Sequence, residues 1–166
     1  MNIRNDIGRF LKGFGHAFEG LIYCVKTQRN FRFHMGAAGA VLTLGIICRV
    51  SFSQALVLFL CVGGVMALEC VNTAVESAVD LITKGERSPL AKAAKDCAAG
   101  GVLIFSAAAA CVGVAVFFSK SSLSKITDFF KDSPIMLLAA VGYIVLWFLW
   151  VFVCFNNKDN NKDKDK

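Results

Sequence analysis

Apolar and polar positions along this chain fall into long blocks. Residues 97–119 and 135–155 contain no Asp, Glu, Lys, Arg or His. Each run is about the 20 residues that an α-helix needs to cross a hydrocarbon core of about 30 Å. Residues 51–68 are also free of charge, and 35–48 form a shorter run rich in Gly and Ala. These runs predict four crossings, at about 33–49, 54–82, 91–118 and 135–155. Ahead of them, Ile3, Ile7, Phe10, Leu11, Phe14, Phe18, Leu21, Ile22 and Val25 recur at helical spacing, with Arg4, Arg9 and Lys12 among them. That pattern predicts an amphipathic helix with a basic polar face, suited to a membrane surface or to packing on another helix. It lacks the continuous apolar stretch of a cleavable signal peptide. The fold class expected is therefore all-α and membrane-embedded.

Residues 119–134 mix Ser, Lys and Asp with Ile126, Phe129 and Phe130, and end at Pro134. They read as a linker with one interfacial turn. The tail 156–166, NNKDNNKDKDK, is too polar to bury a core and is expected to be disordered. The organisation expected is a module at 1–118, a linker at 119–134, an additional transmembrane helix at 135–155 and the charged tail.

Composition supports the membrane reading. Charged residues make up 18% of the 166 positions, against about a quarter in soluble domains, and 56% are apolar. Six of the Lys and Arg residues lie in 1–34, four in 83–96 and four after residue 155. Arg49, Lys120, Lys125 and Lys131 would fall on the other side. The positive-inside rule then places the N-terminus, the 83–96 loop and the C-terminus in the cytosol. The net charge of +6 sits beside hydrophobic segments, which suits anionic headgroups or a phosphate-bearing ligand and not nucleic acid. The seven cysteines are scattered, with no CxxC, so neither a zinc site nor a disulfide framework is implied.

The chemistry is concentrated in the second crossing. Glu69, Asn72, Glu76 and Asp80 interrupt an apolar sequence, and at 100° per residue they share an arc of about 80°, with Thr73 at its edge. Entered from outside near Gln54, this helix carries Glu69 about 22 Å along its axis, inside the cytosolic leaflet. A carboxylate at mid-bilayer costs about 2.5–3.5 kcal/mol on insertion scales, so three on one stripe call for a compensating role. A polar seam between helices, or the wet end of a long helix, is the bland account. A carboxylate row could instead hold Mg²⁺ and supply a base, while Lys92 and Lys95 approach phosphates and Asp96 begins the third crossing. No GxxxxGK[ST] loop is present, so a nucleotide would be held without a P-loop.

ECVNTAVESAVD followed by PLAKAAKDCAAGGV resembles the small prokaryotic lipid kinases, the diacylglycerol and undecaprenol kinase family, whose pattern is roughly E-x-x-N-[ST]-A-x-E-x-x-x-D and then A-K-D-x-A-A. RFLKGFGHAFEGL and NFRFH add to the likeness, which spans residues 9–118, and PLAK looks closer to the undecaprenol branch. The resemblance implies a homotrimer of three-helix subunits with shared sites in the bacterial cell membrane. It implies ATP and Mg²⁺ acting on a membrane lipid alcohol. Mapped by motif, Glu69 would be the general base at the lipid hydroxyl, and Glu76 and Gln28 the magnesium ligands. Asn72 and Asp80 would support them. Arg9, His16, Glu86, Arg87, Ser88, Lys95 and Asp96 would lie around the nucleotide, with Gln28 and Glu76.

The chain departs from the family pattern around the nucleotide and metal. Gln28 stands where the family has Glu, which removes a negative oxygen that Mg²⁺ prefers. His16 replaces a usual Tyr, Arg87 and Ser88 replace Tyr-His, Glu19 takes a usually basic position, and one residue is added between Asp80 and Pro89. These changes motivate a second reading, a silent relative that binds lipid or a partner. A third would use the stripe as an ion path. His34 could meet a headgroup phosphate, but beside Phe33 it reads more simply as an interfacial histidine. Gly36, Ala37, Ala38, Gly39 and Ala107 to Ala110 suggest close helix packing, and Trp147 and Trp150 interfacial anchors.

Overall fold

The computed structural model describes residues 3–153, with side chains from Gly8 onward. The charged tail, Cys154 and the side chains of Ile3, Arg4 and Ile7 lie outside the described residues. The chain forms six helices: α1 (Ile3–Thr27), α2 (Arg29–Ile47), α3 (Phe52–Thr83), α4 (Pro89–Phe117), α5 (Lys120–Asp132) and α6 (Pro134–Phe152). The bundle centre is the antiparallel hairpin of α3 and α4. The α2 helix lies against α3, α6 lies against α2, and α1 meets α2 and α3 near its C-terminal end.

Local sequence explains most of the boundaries. Ser51 opens α3 with a capping box: its hydroxyl accepts from the Gln54 amide at 3.3 Å, and the Gln54 side chain accepts from the Ser51 amide at 2.9 Å. The helix ends on Lys84 and Gly85, both left-handed, at φ of 52° and 81°. Glycine adopts that conformation at little cost. Pro89 and Pro134 start α4 and α6, where a missing amide hydrogen costs nothing.

The helices α3, α4 and α6 are each long and apolar enough to cross a membrane. The charge-free part of α2, residues 35–47, spans only about 20 Å, less than a hydrocarbon core. Its first two turns carry Arg29, Arg32 and His34, and protein covers the last two of these. Arg32 is buried, its guanidinium donating to the carbonyls of Val25 at 3.0 Å and Val151 at 3.4 Å. On α1, Phe10, Leu11, Phe14 and Phe18 are all more than half exposed along one apolar arc, as a helix on a membrane surface requires.

The segment expected to be a linker is a 13-residue helix, α5. Ser119 caps it, accepting from the Ser122 amide at 3.2 Å. Leu123, Ile126 and Phe130 recur at helical spacing, and Ile126 packs on an apolar cluster of Cys48, Leu58, Val116 and Phe117. Lys125 donates to the Cys48 carbonyl at 2.7 Å, so α5 also caps the C-terminal end of α2.

Candidate functional site

The polar stripe of α3 is graded by depth. Glu69 is 2% exposed and Asn72 7%, Thr73 is buried, Glu76 is half-buried, and the Asp80 side chain is 60% exposed. Thr73, Asn72 and Glu76 hydrogen-bond along α3 itself. Thr73 donates its hydroxyl to the Glu69 carbonyl at 2.8 Å, and the Asn72 amide donates to Glu76 Oε1 at 3.0 Å. Lys95 of α4 reaches Asp80 at 2.5 Å, and Lys92 pairs with Asp96 at 2.5 Å one turn on. Since α4 starts at Pro89, Asp96 lies two turns inside the helix and does not begin it.

The carboxylate of Glu69 faces α2. His34 Nε2 stands 3.4 Å from Glu69 Oε1, with the imidazole 21% exposed. This corrects the reading of His34 as an interfacial histidine: it points into the bundle beside the candidate base. Residue 69 lies four positions farther from the turn at 48–51 than residue 34 does, an axial offset of about 6 Å in an antiparallel pair, so spacing alone did not pair them.

Next to this pair opens an apolar cavity of about 370 Å³ between α2, α3 and α4. Ala37, Ala38, Ala109 and Ala110 line it, so these small residues create space instead of the close packing expected of them. His34 and Ser106 are the polar side chains in its wall, and the Ser106 hydroxyl is buried without a partner.

The other expected site residues are not gathered here by one chain. The exposed His16 pairs with Glu19 at 3.4 Å on the polar arc of α1. His16 and Arg9 lie about 12 and 22 Å along α1 from Cys24, where that helix meets α3 through Cys70. Gln28 caps α2 at the corner with α1. Glu86 and Arg87 are exposed in the loop before α4, and Ser88 is its half-buried N-cap residue, making no side-chain cap bond.

Among the described residues, no group of three His, Cys, Asp or Glu side chains could hold a metal ion. Magnesium nevertheless fits the donor set in its usual manner, bound by one or two carboxylates with substrate phosphates completing the shell. Glu76 supplies a carboxylate, and the adjacent Asn72 Oδ1 is buried without a partner, an oxygen left available to a hard cation or its water.

A family model of prokaryotic diacylglycerol kinase matches residues 15–117, which run from α1 to the end of α4 and hold the whole stripe. The chain belongs to this family. It is thus a membrane lipid kinase. The undecaprenol kinase of Bacillus subtilis is 45% identical over 117 residues, covering 70% of this chain and 94% of that protein. A diacylglycerol kinase of Synechocystis sp. is 45% identical over 103 residues, covering 62% of this chain and 59% of that protein. No solved structure matches the chain.

The match ends before α5, so the kinase carries its last two helices outside the family region. The α6 helix is nonetheless tied to α2. Tyr143 donates to the Gly36 carbonyl at 2.7 Å, and Trp147 lies against Phe33 with ring centroids 5.0 Å apart. A Cβ at Gly36 would overlap the Trp147 indole, and one at Gly39 the Tyr143 hydroxyl. Trp147 is therefore a packing residue between helices. The two glycines permit the close approach.

Proposed function

We propose that this kinase transfers the γ-phosphoryl group of ATP to undecaprenol, giving undecaprenyl phosphate, in a bacterial plasma membrane that α2 crosses together with α3, α4 and α6, so that both chain ends are cytosolic. The observation that carries the reading is a buried carboxylate, Glu69, on a helix apolar enough to cross a membrane and 3.4 Å from His34, which lines an apolar cavity. An acceptor whose chain occupies apolar space would present its hydroxyl there. Glu69 takes the hydroxyl proton as the oxygen attacks the γ-phosphorus, and the bond to ADP breaks. Bound magnesium would supply charge neutralisation at the triphosphate; Glu76, Asn72 and Gln28 are the residues proposed to hold it. Lys95 and Asp96, with the 86–88 loop, are proposed for the nucleotide. The unit assigned to this chemistry is 1–118, and the active form is proposed to be a homotrimer. The distance of Arg9 and His16 from Glu69 within one chain supports a site completed by a second copy.

Purified protein given labelled ATP, Mg²⁺ and either undecaprenol or diacylglycerol tests this directly. Undecaprenol is the acceptor expected. Faster transfer to diacylglycerol supports the alternative that the Synechocystis relative suggests. Folded protein that phosphorylates neither lipid favours a silent, lipid-binding relative, the reading that Gln28 motivates.

A further inference from the structure

We propose that His34 is a positioning residue for Glu69, held in place by the last apolar helix, α6. The inference rests on the reading of Glu69 as the base and adds the group that orients it. A carboxylate 2% exposed needs a polar partner, because burying an unpartnered charge costs several kcal/mol. Along the stripe the other acidic groups are answered by an amide or an ammonium: Glu76 by Asn72, Asp80 by Lys95. Glu69 is answered by an imidazole, whose Nε2 is 3.4 Å from Oε1. That separation is longer than an ordinary N–H···O bond, as catalytic contacts often are before substrate binds.

The choice of partner matters chemically. A lysine or arginine would hold Glu69 as a permanent ion pair and reduce its readiness to accept a proton. Once that contact shortens around bound substrate, an imidazole N–H at Nε2 donates one hydrogen bond to Oε1 and fixes that oxygen, leaving the second to face the hydroxyl. No proton needs to move on His34 for this role.

The ring is braced from the side that the family match does not include. Arg32, two residues before His34, donates to the Val151 carbonyl near the end of α6. Phe33 packs on Trp147, and Gly36 accepts from Tyr143. The Phe33 ring then meets the imidazole edge to face, with centroids 5.6 Å apart. These contacts fix the rotation of α2 about its axis, and with it the direction in which His34 points.

The test is the full chain in detergent micelles with undecaprenol, labelled ATP and Mg²⁺. The loss of one hydrogen bond to a charged group predicts that His34→Phe lowers kcat about 10- to 100-fold while KM for ATP stays unchanged. His34→Gln keeps an N–H donor and should retain most of the kcat. If His34→Phe does not fold, His34→Met, of similar length and without a donor, replaces it. The proposal is overturned by wild-type kcat in the donor-free variant. It is equally overturned if His34→Gln falls as far as that variant, or if the change lies in KM for ATP alone. Glu69→Gln is run beside them. Near-normal kcat in that variant defeats the assignment of the base itself, whereas loss in Glu69→Gln with wild-type His34 variants defeats only the present inference.

Discussion

At Glu69 the stripe of α3 is 2% exposed and faces a histidine; three turns on, at Asp80, the side chain is 60% exposed and faces a lysine 2.5 Å away. The same functional group, a carboxylate, on the same helix face therefore does two different things. Exposed ion pairs contribute about 0–1 kcal/mol because water screens them and side-chain entropy opposes them. A buried carboxylate costs several kcal/mol, and an imidazole offsets only part of that. An expensive group that could have been replaced by an apolar one points to chemistry at the deep end. A cheap pair at the wet end points to positioning of α3 against α4.

The sharpest way to break this contrast is Glu69→Gln. We expect kcat to fall about 10²- to 10⁴-fold, the usual contribution of a general base. Thermal stability should hold or rise, because the buried charge is removed. Near-normal kcat, or a clear loss of stability, would make the deep end structural.

The next effect concerns what supports that end. Gly36→Val places a side chain where the Trp147 indole lies and should cost about 1–3 kcal/mol by overpacking. Its kcat should fall with KM for ATP unchanged. Unfolding curves and kinetics that match wild type would show that α6 does not brace α2.

A smaller change is expected off the stripe, at the corner of α1 and α2. Gln28→Glu adds a negative oxygen, so half-saturating Mg²⁺ should shift downward with little change at saturation. Superimposed magnesium titrations for the two proteins would remove residue 28 from the metal. The smallest effect belongs to the wet end: Asp80→Asn should alter stability by no more than about 1 kcal/mol, and more weakly still in high salt. A larger loss would mean that the pair with Lys95 is buried in the working assembly.

Much of this molecule could be read before any coordinates. The crossings expected at 54–82, 91–118 and 135–155 lie within a few residues of α3, α4 and α6, since the length needed to cross a bilayer is a property of the chain alone. The 100° turn of a helix put Glu69, Asn72, Glu76 and Asp80 on one face for the same reason. The likeness to lipid kinases rested on that spacing, and the family match covers it. The 119–134 segment was harder, because its helix draws on Lys125 meeting the end of α2 and Ile126 meeting a cluster built by α2, α3 and α4.

What tertiary structure alone decided is which face meets which. Sequence assigned His34 and Trp147 to the membrane interface, where isolated residues of their type are common. The fold turned His34 toward Glu69 and Trp147 onto Gly36. It also opened a cavity between alanines that looked suited to tight packing. Periodicity specifies positions around one helix axis. The relative rotation of two helices depends on side chains distant in sequence, here Arg32 with Val151 and Tyr143 with Gly36, and those contacts exist only once the bundle has formed.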